Sequence, residues 1–262
     1  MTLLKGRVAL VTGSTSGIGL AIAHRLARDG AHLVLNGLAD PSEAEALSDA
    51  FEHSYGDRPG FAACDLRDYK QIESMMAGLN ERHGALDILV NNAGIQHVSP
   101  ITEFSPEVWQ NMLAVNLSAS FHTIRSALPA MRARNWGRII NMASISGLRG
   151  RANKVGYNAT KHGLIGLTKS VAVETAESAI TCNAICPGWV HTPLVQKQID
   201  ALAAREGLDN DAATMKLIGL RQPSGRFVTV EQIAELAAFF CSPAADEVRG
   251  VAWAMDGGTT AL

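Results

Sequence analysis

A chain of 262 residues with 47% hydrophobic content is long enough for one sizeable core and short enough to need no second domain. Its formal net charge of -2, with basic residues scattered rather than gathered in a stripe, argues against nucleic acid as a partner. No apolar stretch approaches the roughly 18 residues that cross a bilayer, and Val8 to Val11 is too short for a signal-peptide core, so a soluble cytoplasmic protein without a membrane partner is expected.

In chain order, short apolar runs alternate with helical patterns. Arg7-Val-Ala-Leu-Val-Thr12 reads as a buried strand, Gly13-Ser-Thr-Ser-Gly17-Ile-Gly19 as a loop, and Leu20 to Ala27 as the helix that follows. Glycines let backbone approach a ligand closely and a helix start presents unpaired amides, so this order suits a dinucleotide pyrophosphate. Further strands are expected at Leu33 to Asn36, Phe61 to Cys64, Ile88 to Asn91, Arg138 to Met142, Thr181 to Ile185 and Val251 to Met255. Such alternation predicts an α/β fold: a single doubly wound Rossmann-type domain over 1–262, with a seven-stranded parallel sheet and helices on both faces. Ligands bind beyond the carboxyl ends of such strands. Asp65, Asn92, Ser144 and Pro187 follow the third, fourth, fifth and sixth strands, which would bring them to one edge. The segment 192–226 interrupts the alternation with two polar-rich helical stretches, and its length fits a substrate lid or an oligomer contact.

Cys64, Cys182, Cys186 and Cys241 lack the paired spacing of a zinc site and read as small core hydrophobes, so no metal is expected. Tyr157 and Lys161, four apart in Gly156-Tyr-Asn-Ala-Thr-Lys161, share a helix face. An unperturbed phenol titrates near ~10, and a neighbouring ammonium would lower that toward neutrality. Alone, such a pair is a packed ring with an amine reaching for water. Its company changes the reading.

Thr12-Gly-Ser-Thr-Ser-Gly-Ile-Gly19, Asn91-Asn-Ala-Gly94, Asn116, Ser144, Tyr157 with Lys161, Pro187-Gly188 and Asp256-Gly-Gly258 together resemble the motif set of the short-chain dehydrogenase/reductases, through essentially the whole chain. The resemblance implies a nicotinamide dinucleotide held by Gly13, Thr15, Ser16, Gly17, Ile18 and Gly19, with Leu38, Asp65 and Leu66 around the adenosine. Asn92, Ala93, Gly94, Tyr157, Lys161, Pro187, Val190 and Thr192 would serve its other end. It also implies Tyr157 as the base, Lys161 as the charge that holds its phenolate, and Ser144 as hydrogen-bond donor to the substrate oxygen. Asn116 would fix a helix kink and a water that relays protons past Lys161. The family's usual homotetramer would cover the apolar Trp253 and Leu262. Neither Asn36-Gly37-Leu38 nor Ser16 offers a base for a ribose phosphate, so NAD is expected over NADP, although an acidic partner for the ribose hydroxyls is also missing.

A closer resemblance, to the bacterial 3-hydroxybutyrate dehydrogenases, is carried by Asn91-Asn-Ala-Gly-Ile-Gln96, Trp136-Gly-Arg-Ile-Ile140 and Cys182-Asn-Ala-Ile-Cys-Pro-Gly-Trp189 through Gln198. It implies a small hydroxy or oxo acid as partner, (R)-3-hydroxybutyrate and acetoacetate leading. Its carboxylate would meet Gln96, Lys154 and Gln198, with Trp189 as an apolar wall and the reacting oxygen between Ser144 and Tyr157. One departure stands out: the subgroup carries histidine where this chain has Ser146. Arg149 and Arg151 could compensate, though each reads first as a solvated surface arginine. His191 is assigned no role. The alternatives are a reductase of neutral or acyl-carrier ketones and a catalytically inactive dinucleotide-sensing protein. The intact Asn116, Ser144, Tyr157 and Lys161 set argues against the latter.

Overall fold

Successive strand residues alternate between two apolar faces, as the two-residue repeat of a strand requires. Ala9, Val11, Leu33, Leu35, Ile88, Val90, Ile140 and Met142 enter one core, while Leu10, Val34, Leu89 and Ile139 enter the other. In a computed structural model that describes residues 3–219 and 221–262, these runs form strands β1 Val8–Val11, β2 His32–Asn36, β3 Gly60–Ala62, β4 Ile88–Asn91, β5 Gly137–Met142, β6 Ile180–Pro187 and β7 Ala252–Met255. Among the described residues the sheet has seven strands, in the order β3-β2-β1-β4-β5-β6-β7, and every neighbouring pair is parallel.

The helices are α1 Gly17–Arg28, α2 Pro41–Tyr55, α3 Tyr69–His83, α4 Pro106–Leu113, α5 Ala119–Arg134, α6 Val155–Glu174, α7 Pro193–Glu206, α8 Asn210–Gly219 and α9 Val230–Cys241. Ile22 and Leu26 of α1, Phe51 of α2 and Ile233 and Phe240 of α9 pack on the first face. Ile72 and Met76 of α3, Ile124 and Met131 of α5 and Val171 of α6 pack on the second. The expected doubly wound Rossmann-type architecture is therefore what the chain adopts. All four cysteines are buried and free, as small hydrophobes of that core.

Five strands, β2, β3, β5, β6 and β7, differ from expectation by one or two residues at an end, and two of these differences bear on the site. β3 stops at Ala62 instead of Cys64, because the Asn36 side-chain amide turns inward and donates to the Ala62 carbonyl at 2.9 Å and the Cys64 carbonyl at 3.4 Å, in place of a strand ladder. Pro187 is the last residue of β6, paired with Met255, and not the first residue beyond it. A buried amide chain runs through the middle of the sheet. Thr123 of α5 donates to Asn91 at 2.7 Å, Asn91 to Asn141 at 2.9 Å and Asn141 to Thr168 of α6 at 2.9 Å. Every member of such a network is satisfied, so it fixes α6 against β4 and β5 in one position. Among the described residues, no helix is long and apolar enough to cross a membrane.

Candidate active site

The strand order reverses between β1 and β4, and the loops that follow these two strands face each other across the gap. Thr12 joins them: its hydroxyl accepts from Asn92 N at 2.9 Å and Ala93 N at 3.1 Å, while the Asn92 side chain donates back to the Thr12 and Gly13 carbonyls at 2.9 Å each. Gly19 is required by this closeness. A Cβ there would lie 2.3 Å from the Gly13 carbonyl oxygen and 2.4 Å from the Asn92 amide nitrogen.

The start of α1 differs from that of its neighbours. Side chains cap α2, α3, α4, α7 and α9, whereas the Ser16 hydroxyl at the start of α1, like the side chains that precede α5 and α6, accepts no amide hydrogen, and the first turn of α1 holds no acid. Thr15 and Ser16 are exposed at the loop tip. Uncapped amides in an acid-free turn are what a pyrophosphate needs, so these residues fit a dinucleotide. At the adenosine end, Leu38 is 73% exposed and Asn36 is buried, its Oδ1 accepting from Gly13 N at 3.3 Å. Leu66 is buried in the core and Asp65 is held by Arg67 through two Nε contacts of 3.0 Å and one Nη2 contact of 2.6 Å. That pairing holds the Asp65 carboxyl below its ordinary range.

Deeper in, Ser144 ends the β5 connection with its hydroxyl accepting from Ser146 N at 3.1 Å. The short turn it opens lies directly on α6, and at Gly147 a Cβ would sit 2.6 Å from the Lys161 carbonyl. This contact brings Ser144 beside Tyr157. Asn116 lies in a π-turn over Ala114–Ser118 between α4 and α5, so the expected irregularity is present. Its side-chain amide accepts from Ile95 N at 2.8 Å and donates to Ile95 O at 2.9 Å and Thr160 at 3.2 Å, so both of its N–H donors are engaged in latching. Gly94 lies between the catalytic candidates, where an added methyl would meet Asn116 Oδ1 at 3.4 Å and Lys161 Nζ at 3.6 Å.

The Tyr157 and Lys161 pair requires a correction. Among the described residues the Lys161 ammonium makes no hydrogen bond to the phenol; it donates to the Met142 carbonyl at 2.6 Å and lies 5.6 Å from the centre of the Tyr157 ring. Burial raises the phenol above its ordinary value, against an opposing pull from the Ser144 hydroxyl. Burial also pushes Lys161 down to about 8. Two desolvated groups in one pocket each resist charging.

A cleft runs from this point outward, walled by Gln96, Ser144, Lys154, Tyr157, Trp189 and Gln198 among others. Trp189 is 6% exposed and packs with Val195, Ile199 and Leu202 of α7 and Leu217 of α8, so the two helices of the 192–226 segment rest on the indole. Gln198 rides on α7 into the cleft wall. Burial first, then Arg151 and Arg221, push Lys154 down to about 8.

A family model described as short chain dehydrogenase matches residues 7–203. This chain belongs to the short-chain dehydrogenase/reductase family. A D-beta-hydroxybutyrate dehydrogenase of Cupriavidus necator is 50% identical over 259 residues, covering 99% of this dehydrogenase and 100% of the relative. Another, from Rhizobium meliloti, is 47% identical over 255 residues, covering 97% and 99%. Among solved structures, the L-sorbose reductase of Gluconobacter frateurii complexed with NADPH and L-sorbose superposes with a TM-score of 0.95 at 32% identity, over 100% of this chain and 99% of that one.

The residues singled out from the sequence of this dehydrogenase thus converge, with exceptions in detail. Thr192 spends its hydroxyl accepting from Val195 N at 3.4 Å, as the cap of α7. His191 pairs with Gln196 at 2.8 Å and stacks on Phe227. Arg149 is tied to the Thr259 carbonyl at 2.8 Å, away from the cleft, while Arg151 is half-buried and lines it, so the surface reading of Arg151 is overturned. Sequence reasoning missed Thr12, Asn36, Thr160, Arg221 and Gln222. Gln222 is buried, accepts from Trp189 N at 2.9 Å and donates to the Arg226 carbonyl, holding the lid segment to the end of β6. Only Thr12 carried a signal, as a member of the glycine-loop motif. The others act through contacts far apart in the chain.

Proposed function

We propose that this dehydrogenase uses NAD to interconvert (R)-3-hydroxybutyrate and acetoacetate, or a closely related short 3-hydroxy acid. The observation that carries the reading is Lys154, a half-buried ammonium that lines the same cleft as Tyr157, Gln96 and Gln198. Such a cation, with two amide side chains beside it, offsets the loss of water from a carboxylate. The high identity to two dehydrogenases named for this acid supports the same reading.

The dinucleotide, when bound, takes or returns the hydride. Tyr157 then exchanges the hydroxyl proton of the substrate, and Ser144 donates a hydrogen bond to the oxygen where charge develops. Lys161, anchored on the Met142 carbonyl, supplies positive charge beside Tyr157. The π-turn and its Asn116 latch hold the Ile95 loop against Lys161. Trp189 and the helices packed on it exclude water from this exchange, as a lid of 192–226 would. We favour NAD because the adenosine end carries exposed Leu38, inward-turned Asn36 and an Arg67 already paired with Asp65, which leaves a ribose phosphate without a waiting base. We further read the exposed Trp253 and Leu262 as surface that a homotetramer covers.

Oxidation of (R)-3-hydroxybutyrate with NAD, followed by NADH absorbance, tests this directly, with NADP run in parallel. Good turnover with NAD is expected. No turnover of short 3-hydroxy acids, with fast NADPH-linked reduction of uncharged ketones, would overturn the substrate and cofactor and leave the dehydrogenase chemistry standing.

A further inference from the structure

Three cations gather around one indole at the mouth of the cleft. The Arg221 guanidinium lies 5.0 Å from the centre of the Trp189 ring, that of Arg151 5.6 Å and the Lys154 ammonium 5.7 Å. Among the described residues, no carboxylate forms an ion pair with any of them. Like charges so placed repel one another, and an anion seated among them relieves that repulsion.

Arg151 is the arginine best placed to receive it. It shares the cleft wall with Gln96, Ser144, Lys154, Tyr157 and Gln198, whereas Arg149 is committed to Thr259. Its backbone is fixed from two sides. The Asn158 side chain on α6 donates to the Arg151 carbonyl at 2.8 Å. Asn153, at φ +63°, gives its own carbonyl to Ser99 N at 2.9 Å, fastening the turn between Arg151 and Lys154 to the loop that carries Gln96. The buried Ser146 contributes no charge. Burial and the neighbouring arginines lower both Arg151 and Lys154, so both sit where water screens them poorly.

We infer that Arg151 is a specificity-determining residue that supplies, with Lys154, the positive charge selecting a short carboxylate substrate, with Arg221 drawing the anion to the mouth. The inference rests on the 3-hydroxy acid reading of the site. A guanidinium offers two parallel N–H donors where an ammonium offers a single point charge, so Arg151 fixes the orientation of the acid as well as its affinity. Orientation of the carboxylate sets where the 3-hydroxyl lies relative to Tyr157.

The test is steady-state kinetics of R151Q, R151K, R221Q and the double variant S146H/R151Q in the full chain. Substrates are (R)-3-hydroxybutyrate and an uncharged methyl ketone, with malonate as a competing anion. R151Q should raise KM for the acid about 10- to 100-fold, in line with loss of a charged hydrogen bond, and weaken malonate inhibition equally. KM for NAD and for the ketone should stay within about twofold, R151K should recover part of the loss, and S146H/R151Q should recover a smaller part, since an uncharged imidazole N–H donor returns to the same carboxylate. R221Q should raise KM only about two- to fivefold, with the effect fading at high salt as expected of steering. An unchanged KM for the acid in R151Q, or an equal rise for acid and ketone, overturns the proposal. So does an effect confined to malonate, which would make Arg151 part of a dicarboxylate site. If the wild-type chain oxidises no short 3-hydroxy acid, the substrate reading falls separately. Malonate inhibition of ketone turnover, and its loss in R151Q, then still decides whether Arg151 holds a carboxylate.

Discussion

The floor of the site and its mouth are built on opposite principles. On the floor, polar side chains are tied to backbone: Thr12 to Asn92 and Ala93, Asn36 to Gly13 and Ala62, Asn116 to Ile95, and Lys161 to Met142. At the mouth, Arg151, Lys154 and Arg221 stand over an indole, with charge that no acid among the described residues balances. A floor with nothing left to rearrange suits a group of constant shape, bound in one pose and paid for during folding. A mouth with uncompensated charge suits a small anion, and its selectivity can shift by single substitutions at Arg151, Lys154 or Arg221.

The contrast is tested most severely at Tyr157. Tyr157→Phe should lower kcat by roughly 100- to 10,000-fold, the range for losing a positioned acid or base, with dinucleotide affinity nearly unchanged. A kcat within threefold of wild type would mean that the floor does no proton chemistry. Next comes the packing of the floor. Gly19→Ala forces a methyl against the Gly13 carbonyl and the Asn92 amide, and overpacking of about 1 to 3 kcal/mol should appear as weaker NAD binding in a direct titration. Unaltered NAD affinity in a folded variant would remove the glycine loop from the binding site.

Gln222→Leu keeps size but strips partners from Trp189 N and the Arg226 carbonyl. A loss of about 1 to 3 kcal/mol in thermal unfolding is expected, with a modest rise in KM for the acid and none for NAD. A matching loss of NAD binding would show that lid and floor are one unit. The smallest effect concerns pH. Lys154 sits at about 8, so its charge is present below that pH and lost as pH rises through it. KM for the acid should therefore climb above pH 8, by at most about tenfold per unit, while an uncharged ketone shows no such rise. Lys154→Met should flatten the profile at a high KM; a profile that persists would assign the titration to another group.

The sequence by itself determined the strands, their alternation with helices and the sheet edge where Gly13 to Gly19, Asn92, Ser144 and Tyr157 meet. Those features follow from two-residue apolar alternation, glycine spacing and chain order, all of which are local or nearly so. Only the tertiary structure decided that Asn36 turns inward at the end of β3, that the Lys161 ammonium donates to the Met142 carbonyl, and that Arg151 rather than Arg149 enters the cleft. Each of these depends on which groups lose water together. Desolvation is set by residues distant in the chain, as Arg221 and Trp189 are from Lys154, and no spacing rule along a sequence records it.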